Sequence, residues 1–340
     1  MSIRLHKACV IWMLLALAAC APTVHKAEDK VPLVWPAAPA APRIAYVETI
    51  ARPDDLGITK GFLQRVADAL FGGSDSRLVR PMAVLAVGPM LYVADPGAQG
   101  VHRFDTANGD YELLRPESGA LPSAVGLARG AAGEVYVTDS ALATVSVMRP
   151  REHVISRVAL SAPLRQPTGI AVDARSGRIY VVDTTAHDVK VFERNGKLAY
   201  SFGRRGAGDG EFNYPTLIWR TPQGKLYVTD AMNFRVQIFD DGGRYLGKFG
   251  QLGDGSGDHL RQKGVATDRY GHIYVVDALF NAVQIFDTAG RLLLAFGALG
   301  RERGEFWLPA GIYIGDDDLI YVADSYNSRV QVFRYIGGDA

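Results

Sequence analysis

The sequence predicts an all-β fold in which six small antiparallel sheets close into a ring. The first observation is a short pattern, a run of apolar residues ending in aspartate. It reads LYVAD at 91–95, VYVTD at 135–139, IYVVD at 179–183, LYVTD at 226–230, IYVVD at 273–277 and IYVAD at 320–324. The second is spacing. Asp95, Asp139, Asp183, Asp230, Asp277 and Asp324 lie 44, 44, 47, 47 and 47 residues apart, and a period in the forties marks one supersecondary unit copied and stacked on its neighbours. The third is residue choice: each copy is dense in tyrosine and β-branched residues, with Gly, Pro, Asn and Asp at its joints. That composition suits short strands and tight turns rather than a helix pair. The expected architecture is a six-bladed β-propeller of four-stranded antiparallel blades, closed by an N-terminal strand and carrying one short N-terminal helix.

At the N-terminus, Arg4 and Lys7 precede an apolar run, Val10–Ala19, that stops at Cys20. The run is shorter than the roughly 20 residues that span a bilayer, and small residues at its end fit a cleavage site. Leu17-Ala18-Ala19-Cys20 resembles the lipobox of bacterial lipoproteins. The resemblance implies that residues 1–19 are a signal peptide and that Cys20 carries a diacylglycerol-type lipid as the mature N-terminus. It implies a lipid-anchored protein of the bacterial cell envelope. Ala21 in place of aspartate after the cysteine implies the outer membrane, facing the periplasm. Cys9 leaves with the signal, so the exported domain holds no disulfide and must rest on its core, which a 48% hydrophobic composition can supply. Without Arg4 and Lys7 the chain holds 35 basic residues (37 less those two) against 36 acidic ones. Such a balance gives no general drive toward nucleic acid.

Residues 20–42 are rich in alanine and proline with no sustained period, and read as a tether between anchor and body. Trp35 within it could equally pack on the body or stay exposed. Residues 43–340 form the propeller. Its opening segment, RIAYVETI at 43–50, alternates as a strand. In 61–71, Phe62, Leu63, Val66, Ala67 and Leu70 recur at helical spacing, which predicts a short amphipathic helix on a face or rim. The blades occupy about 80–340. The fourth copy shows their plan: strands at Pro215–Trp219, Lys225–Thr229, Arg235–Phe239 and Tyr245–Phe249, with turns at Pro222–Gly224 and Asp240–Gly243. In copies three to five the last strand ends at Phe202, Phe249 and Phe296, each nineteen residues after its aspartate. Nineteen past Asp324 runs beyond the last residue. The sixth blade therefore lacks its outer strand, and 43–50 should pair with Val330–Tyr335 to fasten the ring.

Three segments resemble NHL repeats: Gly271–Asp277, Asp324–Phe333 and Gly304–Pro309, the last reading GEFWLP. The resemblance covers about residues 80–334 and implies a six-bladed propeller. The family usually has asparagine three residues after the aspartate and arginine two further on. This chain keeps them as Asn233 with Arg235 and Asn327 with Arg329, and has Ala98, Leu142, Ala186 and Phe280 at the other asparagine positions. A function that needs a uniform arginine ring is thereby put in doubt.

Function should lie in the loops before the first and after the second strand of each blade, which open on one face. The binding-face candidates are Met232, Phe234, His259, Arg261, Lys263, Phe280, Trp307 and Tyr326, where aromatic groups interleave with charge. The resemblance implies that Phe212 and Phe306, each in a Gly-Glu-Phe triplet, plug the joints between blades. The six aspartates would form a ring, but their uniform recurrence marks them as structural: an aspartate ending a strand accepts hydrogen bonds from the amides of the next turn. Propeller enzymes offer two comparisons, the peptidyl-hydroxyglycine lyases and the gluconolactonase-like calcium enzymes. Neither His102, His153, His187, His259 nor His272 falls at a first-strand start near the axis, and no set of about three metal ligands can be assembled. No Gly-x-Ser-x-Gly elbow or phosphate loop occurs. The expectation is a non-enzymatic, monomeric binding or scaffold module for an envelope protein, peptide or glycan. It has no cofactor, no catalytic residue and no nucleic-acid partner, and the membrane is reached through Cys20. The alternative is a hydrolase or lyase, lactonase-like or peptidyl-hydroxyglycine-lyase-like, with a divalent metal in the central channel.

Overall fold

A computed structural model describes residues 32–59, 76–117, 119–150, 152–255 and 257–337. Among the described residues six sheets are present, five of four strands and one of five. Blade 1 holds the strands Ala83–Val87, Met90–Asp95, Gly100–Asp105 and Asp110–Leu114. Every later blade repeats this antiparallel meander. Its innermost strands are Ala124–Arg129, Pro167–Val172, Pro215–Arg220, Gln262–Thr267 and Ile312–Ile314 in blades 2 to 6. The fourth strand of blade 2 is only Ser156–Arg157. The Asp-terminated pattern forms the second strand in each case, and in blades 2 to 5 that strand is buried along its whole length. Burial on both faces explains why the pattern is continuously apolar rather than alternating.

The ring closes as the count of residues required. Ile44–Ile50 pairs antiparallel with Arg329–Tyr335, from Ile44 opposite Tyr335 to Ile50 opposite Val330. The fold adds a strand that the sequence did not reveal. Val34–Trp35 pairs with Ile44 and Ala45, which makes blade 6 five-stranded. The Trp35 ring sits 5.7 Å from Phe296 and 5.8 Å from Phe333. The folded body thus reaches further toward the N-terminus than Arg43. Burying an indole between two phenyl rings favours the docked state over an open tether at this point. The expected helix at 61–71 lies outside the described residues, as do residues 1–19 and Cys20.

Two local features let the blades meet around the axis. Innermost strands approach backbone to backbone: a Cβ on Gly126 would lie 2.3 Å from the Thr168 carbonyl oxygen of blade 3, and one on Gly311 would lie 2.6 Å from that of Met82 in blade 1. Neither position can carry a side chain without moving its neighbour. The second feature is a left-handed residue four positions after each aspartate: Gln99, Ala143, His187, Phe234, Asn281 and Ser328, with φ between 52° and 59°. It turns the chain from second to third strand and sets the loops on one face. Such a conformation is costly for non-glycine residues, so its recurrence shows how firmly the blade fixes that turn.

Candidate functional site

Each repeat aspartate is fully buried, and all but Asp183, which bonds the Arg165 and Gln166 amides and the Lys190 amine, tie together two loops of the same face. Asp95 accepts from the amides of Val79 and Arg80 before the first strand and from Ala98 after the second, at 2.6, 3.0 and 3.0 Å. Burial raises its carboxyl, but the His102 imidazole and these amides outweigh that and hold it below the usual range. Asp277 repeats the arrangement with Leu260 and Arg261 on one side and Leu279 and Phe280 on the other. Blades 4 and 6 add side chains. The Arg235 guanidinium donates to Asp230 at 2.8 Å and to the carbonyls of Ala207, Gly208 and Glu211. Arg329 does the same for Asp324, Arg301, Glu302 and Glu305. These arginines lash the loop ahead of the blade to its aspartate, so they act on the backbone rather than on solvent.

On that scaffold the loops leave an opening at the axial mouth. Six equivalent first-strand positions ring it: Met82, Val125, Thr168, Thr216, Lys263 and Ala310. A cavity of about 270 Å³ is lined on one side by Arg80, Met82, Arg261, Lys263, Leu308 and Tyr326. No carboxylate lines it. Among the described residues, the side chains of Arg80, Arg261 and Lys263 form no ion pair or hydrogen bond. Burial pushes the Lys263 amine below its ordinary value, and Arg261 pushes it the same way. Beside the cavity the Trp307 ring lies 5.9 Å from that of Tyr326, and the Arg301 guanidinium covers Trp307 at 4.9 Å. Both rings are mounted on blade 6: the Trp307 amide donates to Asp324, and the Tyr326 amide to the Trp307 carbonyl.

Beyond the mouth, the innermost strands of all six blades line a cavity of about 170 Å³ with Arg129 and Arg220 among its otherwise mostly apolar residues. Trp219 and Tyr313 meet edge-on at 5.8 Å toward the far ends of those strands, and the indole N–H donates to Thr267 Oγ1 at 2.9 Å. Burial drives the Tyr313 hydroxyl up to about 12. Among the described residues, no three His, Cys, Asp or Glu side chains are grouped so as to hold a metal ion.

Of the expected face residues, the structure brings Arg261, Lys263 and Tyr326 to one cavity, with Trp307 adjoining. Met232 is exposed and Phe234 and Phe280 are half-buried on neighbouring loops, outside the cavity lining. His259 belongs elsewhere. It is fully buried, 5.5 Å from the Phe286 ring and 6.4 Å from that of Phe249, and neither ring nitrogen has a partner. The reason is positional: Phe212, His259 and Phe306 each lie eighteen residues before their blade's aspartate. All three pack against a glycine, Gly203, Gly250 and Gly297, whose Cβ would strike the ring. His259 is thus the third inter-blade plug, and counting back from Asp277 would have found it. Arg80 was missed, although it directly precedes the first-strand start Pro81-Met82 as Arg261 precedes Gln262.

The NHL repeat model matches residues 164–192 and 306–333. Protein brain tumor of Drosophila melanogaster is 34% identical over 53 residues, which are 16% of this chain and 5% of that protein's length. Solved structures of like fold include an auxiliary nutrient binding protein of Bacteroides thetaiotaomicron, at 13% identity and TM-score 0.61 over 77% of this chain and 71% of the other. Virginiamycin B lyase of Staphylococcus aureus gives 14% identity and 0.57 over 76% and 96%. A chain of a nidogen/laminin complex gives 17% and 0.52 over 72% and 84%. Binding proteins and an enzyme thus share this architecture, and at such identities the likeness concerns fold alone. The chain is a six-bladed β-propeller, two segments of which match the NHL repeat.

Proposed function

We propose that the protein is a lipid-anchored lipoprotein of the bacterial envelope, in the outer membrane and facing the periplasm, whose propeller binds a protein, peptide or glycan without covalent chemistry. The observation that carries the reading is the axial mouth, where Arg261, Lys263 and Tyr326 line one cavity on loops lashed to buried aspartates. Cations and aromatic rings held by a rigid scaffold lose little entropy on engaging a partner, which is how a preorganised binding surface gains affinity. The auxiliary nutrient binding protein, by its name a binding protein, shows that this architecture serves such a role elsewhere. The anchor rests on Leu17-Ala18-Ala19-Cys20, since two acyl chains suffice for stable membrane attachment.

Replacing Cys20 with serine should move the protein from the membrane to the soluble fraction and abolish incorporation of labelled palmitate. Retention in the membrane would refute the anchor. For the binding role, pull-down from solubilised envelopes should enrich a partner that the Arg261→Ala and Tyr326→Ala proteins lose. Turnover of a lactone or peptide substrate that responds to a chelator would instead favour a metal-dependent hydrolase or lyase.

A further inference from the structure

The mouth cavity holds more charge than a neutral partner requires. Of the six positions ringing the axis, five carry Met82, Val125, Thr168, Thr216 and Ala310, and only Lys263 is ionisable. Where blades 3 and 4 carry Thr168 and Thr216, each hydroxyl is hydrogen-bonded to a neighbouring strand. Blade 5 has a lysine there, without an acceptor among the described residues. Two arginines, Arg80 from blade 1 and Arg261 from blade 5, both exposed, line the same cavity, again without a carboxylate. Three like charges around one small volume repel one another, and a half-buried ammonium also loses hydration. The downward push on the Lys263 amine is the expected consequence. Gln262 adds a separate sign of unmet polarity at the same strand start. It stands opposite Asp277 where blades 3 and 4 place Pro167 and Pro215, and it is fully buried with neither amide atom hydrogen-bonded.

We propose that this cavity is an oxyanion site: it takes one carboxylate or phosphate group of a compact ligand between Arg80, Arg261 and Lys263, with the ligand's carbon skeleton against Met82, Leu308 and Tyr326. The inference rests on the binding-module reading and names its ligand class. Three cationic side chains from two blades can meet an oxyanion's several lone pairs, and charge-assisted hydrogen bonds are the stronger kind. A volume of about 270 Å³ accommodates a single sugar-sized ring, free or at the end of a larger partner. The near-neutral charge of the whole chain does not oppose this, because the field is local to the mouth.

Calorimetric titration of the full-length protein in uncharged detergent tests it, with galacturonate, glucose 1-phosphate, inorganic phosphate and the neutral sugar galactose as probes. At least one anionic probe should bind roughly 10-fold or more tighter than galactose, since a hydrogen bond to a charged group is worth more than a neutral one. That binding should weaken as salt rises from about 50 to about 300 mM. Lys263→Met, which removes an uncompensated charge and keeps the aliphatic stem, should lose it by 10-fold or more while retaining its circular dichroism. Arg261→Gln is the second variant should the first fail to fold. Preference for galacturonate assigns a carboxylate, and preference for either phosphate probe assigns a phosphate. Galactose binding as tightly as the acids, no binding by any anion, or unchanged binding by both variants overturns the proposal. A propeller that still captures its envelope partner at high salt and with Lys263→Met would overturn the oxyanion site and leave the binding-module reading intact.

Discussion

A single side chain, His259, shows how position decides chemistry. As a plug between Phe249 and Phe286 it must stay neutral, and burial lowers its imidazole to about 4 from 6.5, against the opposing pull of Asp277 and Asp258. Above about pH 6.5 folded and unfolded chains are both neutral here, and the ring imposes no proton-linked penalty. Between about pH 6.5 and 4 the unfolded chain takes up a proton that the folded chain refuses, so stability falls with pH. The loss is complete below about pH 4 and amounts to about 3 kcal/mol. His259→Phe, which copies Phe212 and Phe306, should flatten that part of the pH dependence and leave the contribution of the carboxylates. Urea unfolding of both proteins at pH 7 and pH 4.5 measures the difference, and equal losses in the two would contradict the assignment. The sequence held the needed signal in the eighteen-residue count, but histidine among charged residues resembles a surface loop when read locally.

At the scale of the element, the blade was legible because its determinants are local. Apolar strands, turn residues and the terminal aspartate all recur within one period, and the third-strand residues Arg235 and Arg329 stand at fixed offsets from it. What those arginines do was not legible, since their acceptors are backbone carbonyls more than twenty residues upstream, and a carbonyl leaves no mark in the sequence. The structure makes Arg235 a loop clamp that also pairs with a fully buried carboxylate. Arg235→Ala should therefore cost about 3–5 kcal/mol, because Asp230 is left buried without its cation. Arg235→Lys should recover only a fraction, as an ammonium cannot reach four acceptors in the guanidinium plane. Chemical denaturation of the three proteins gives the comparison. A loss under about 1 kcal/mol for the alanine variant would mean that Asn233 and Gln237 hold the loop unaided.

For the whole molecule, ring closure was deducible from arithmetic, yet the site was not. Arg80 and Lys263 lie 183 residues apart in the sequence and line one cavity only because blade 6 joins blade 5 to blade 1. Trp35 was hidden for a different reason: a docked pair of residues in an Ala/Pro-rich segment has no period to reveal it. Removing residues 32–50 would strip blade 6 of both outer strands and bare Arg329–Tyr335 as an apolar edge. Size-exclusion chromatography of that deletion should show aggregates or exchanged dimers, where the intact body elutes as a monomer. A monomeric, cooperative deletion protein would mean the ring does not depend on its N-terminal strands.

On the proposed reading, the axial mouth is where this propeller meets its partner. A photo-crosslinking amino acid in place of Tyr326, compared with one in place of Leu293 on the outer strand Leu292–Phe296 of blade 5, tests it in intact cells. Both positions are about half exposed, Tyr326 at 55% and Leu293 at 53%, so unspecific capture should be similar. A discrete adduct is expected from position 326, suppressed by competing galacturonate or phosphate, and none from 293. Equal labelling from both positions, or an adduct only from 293, would contradict it.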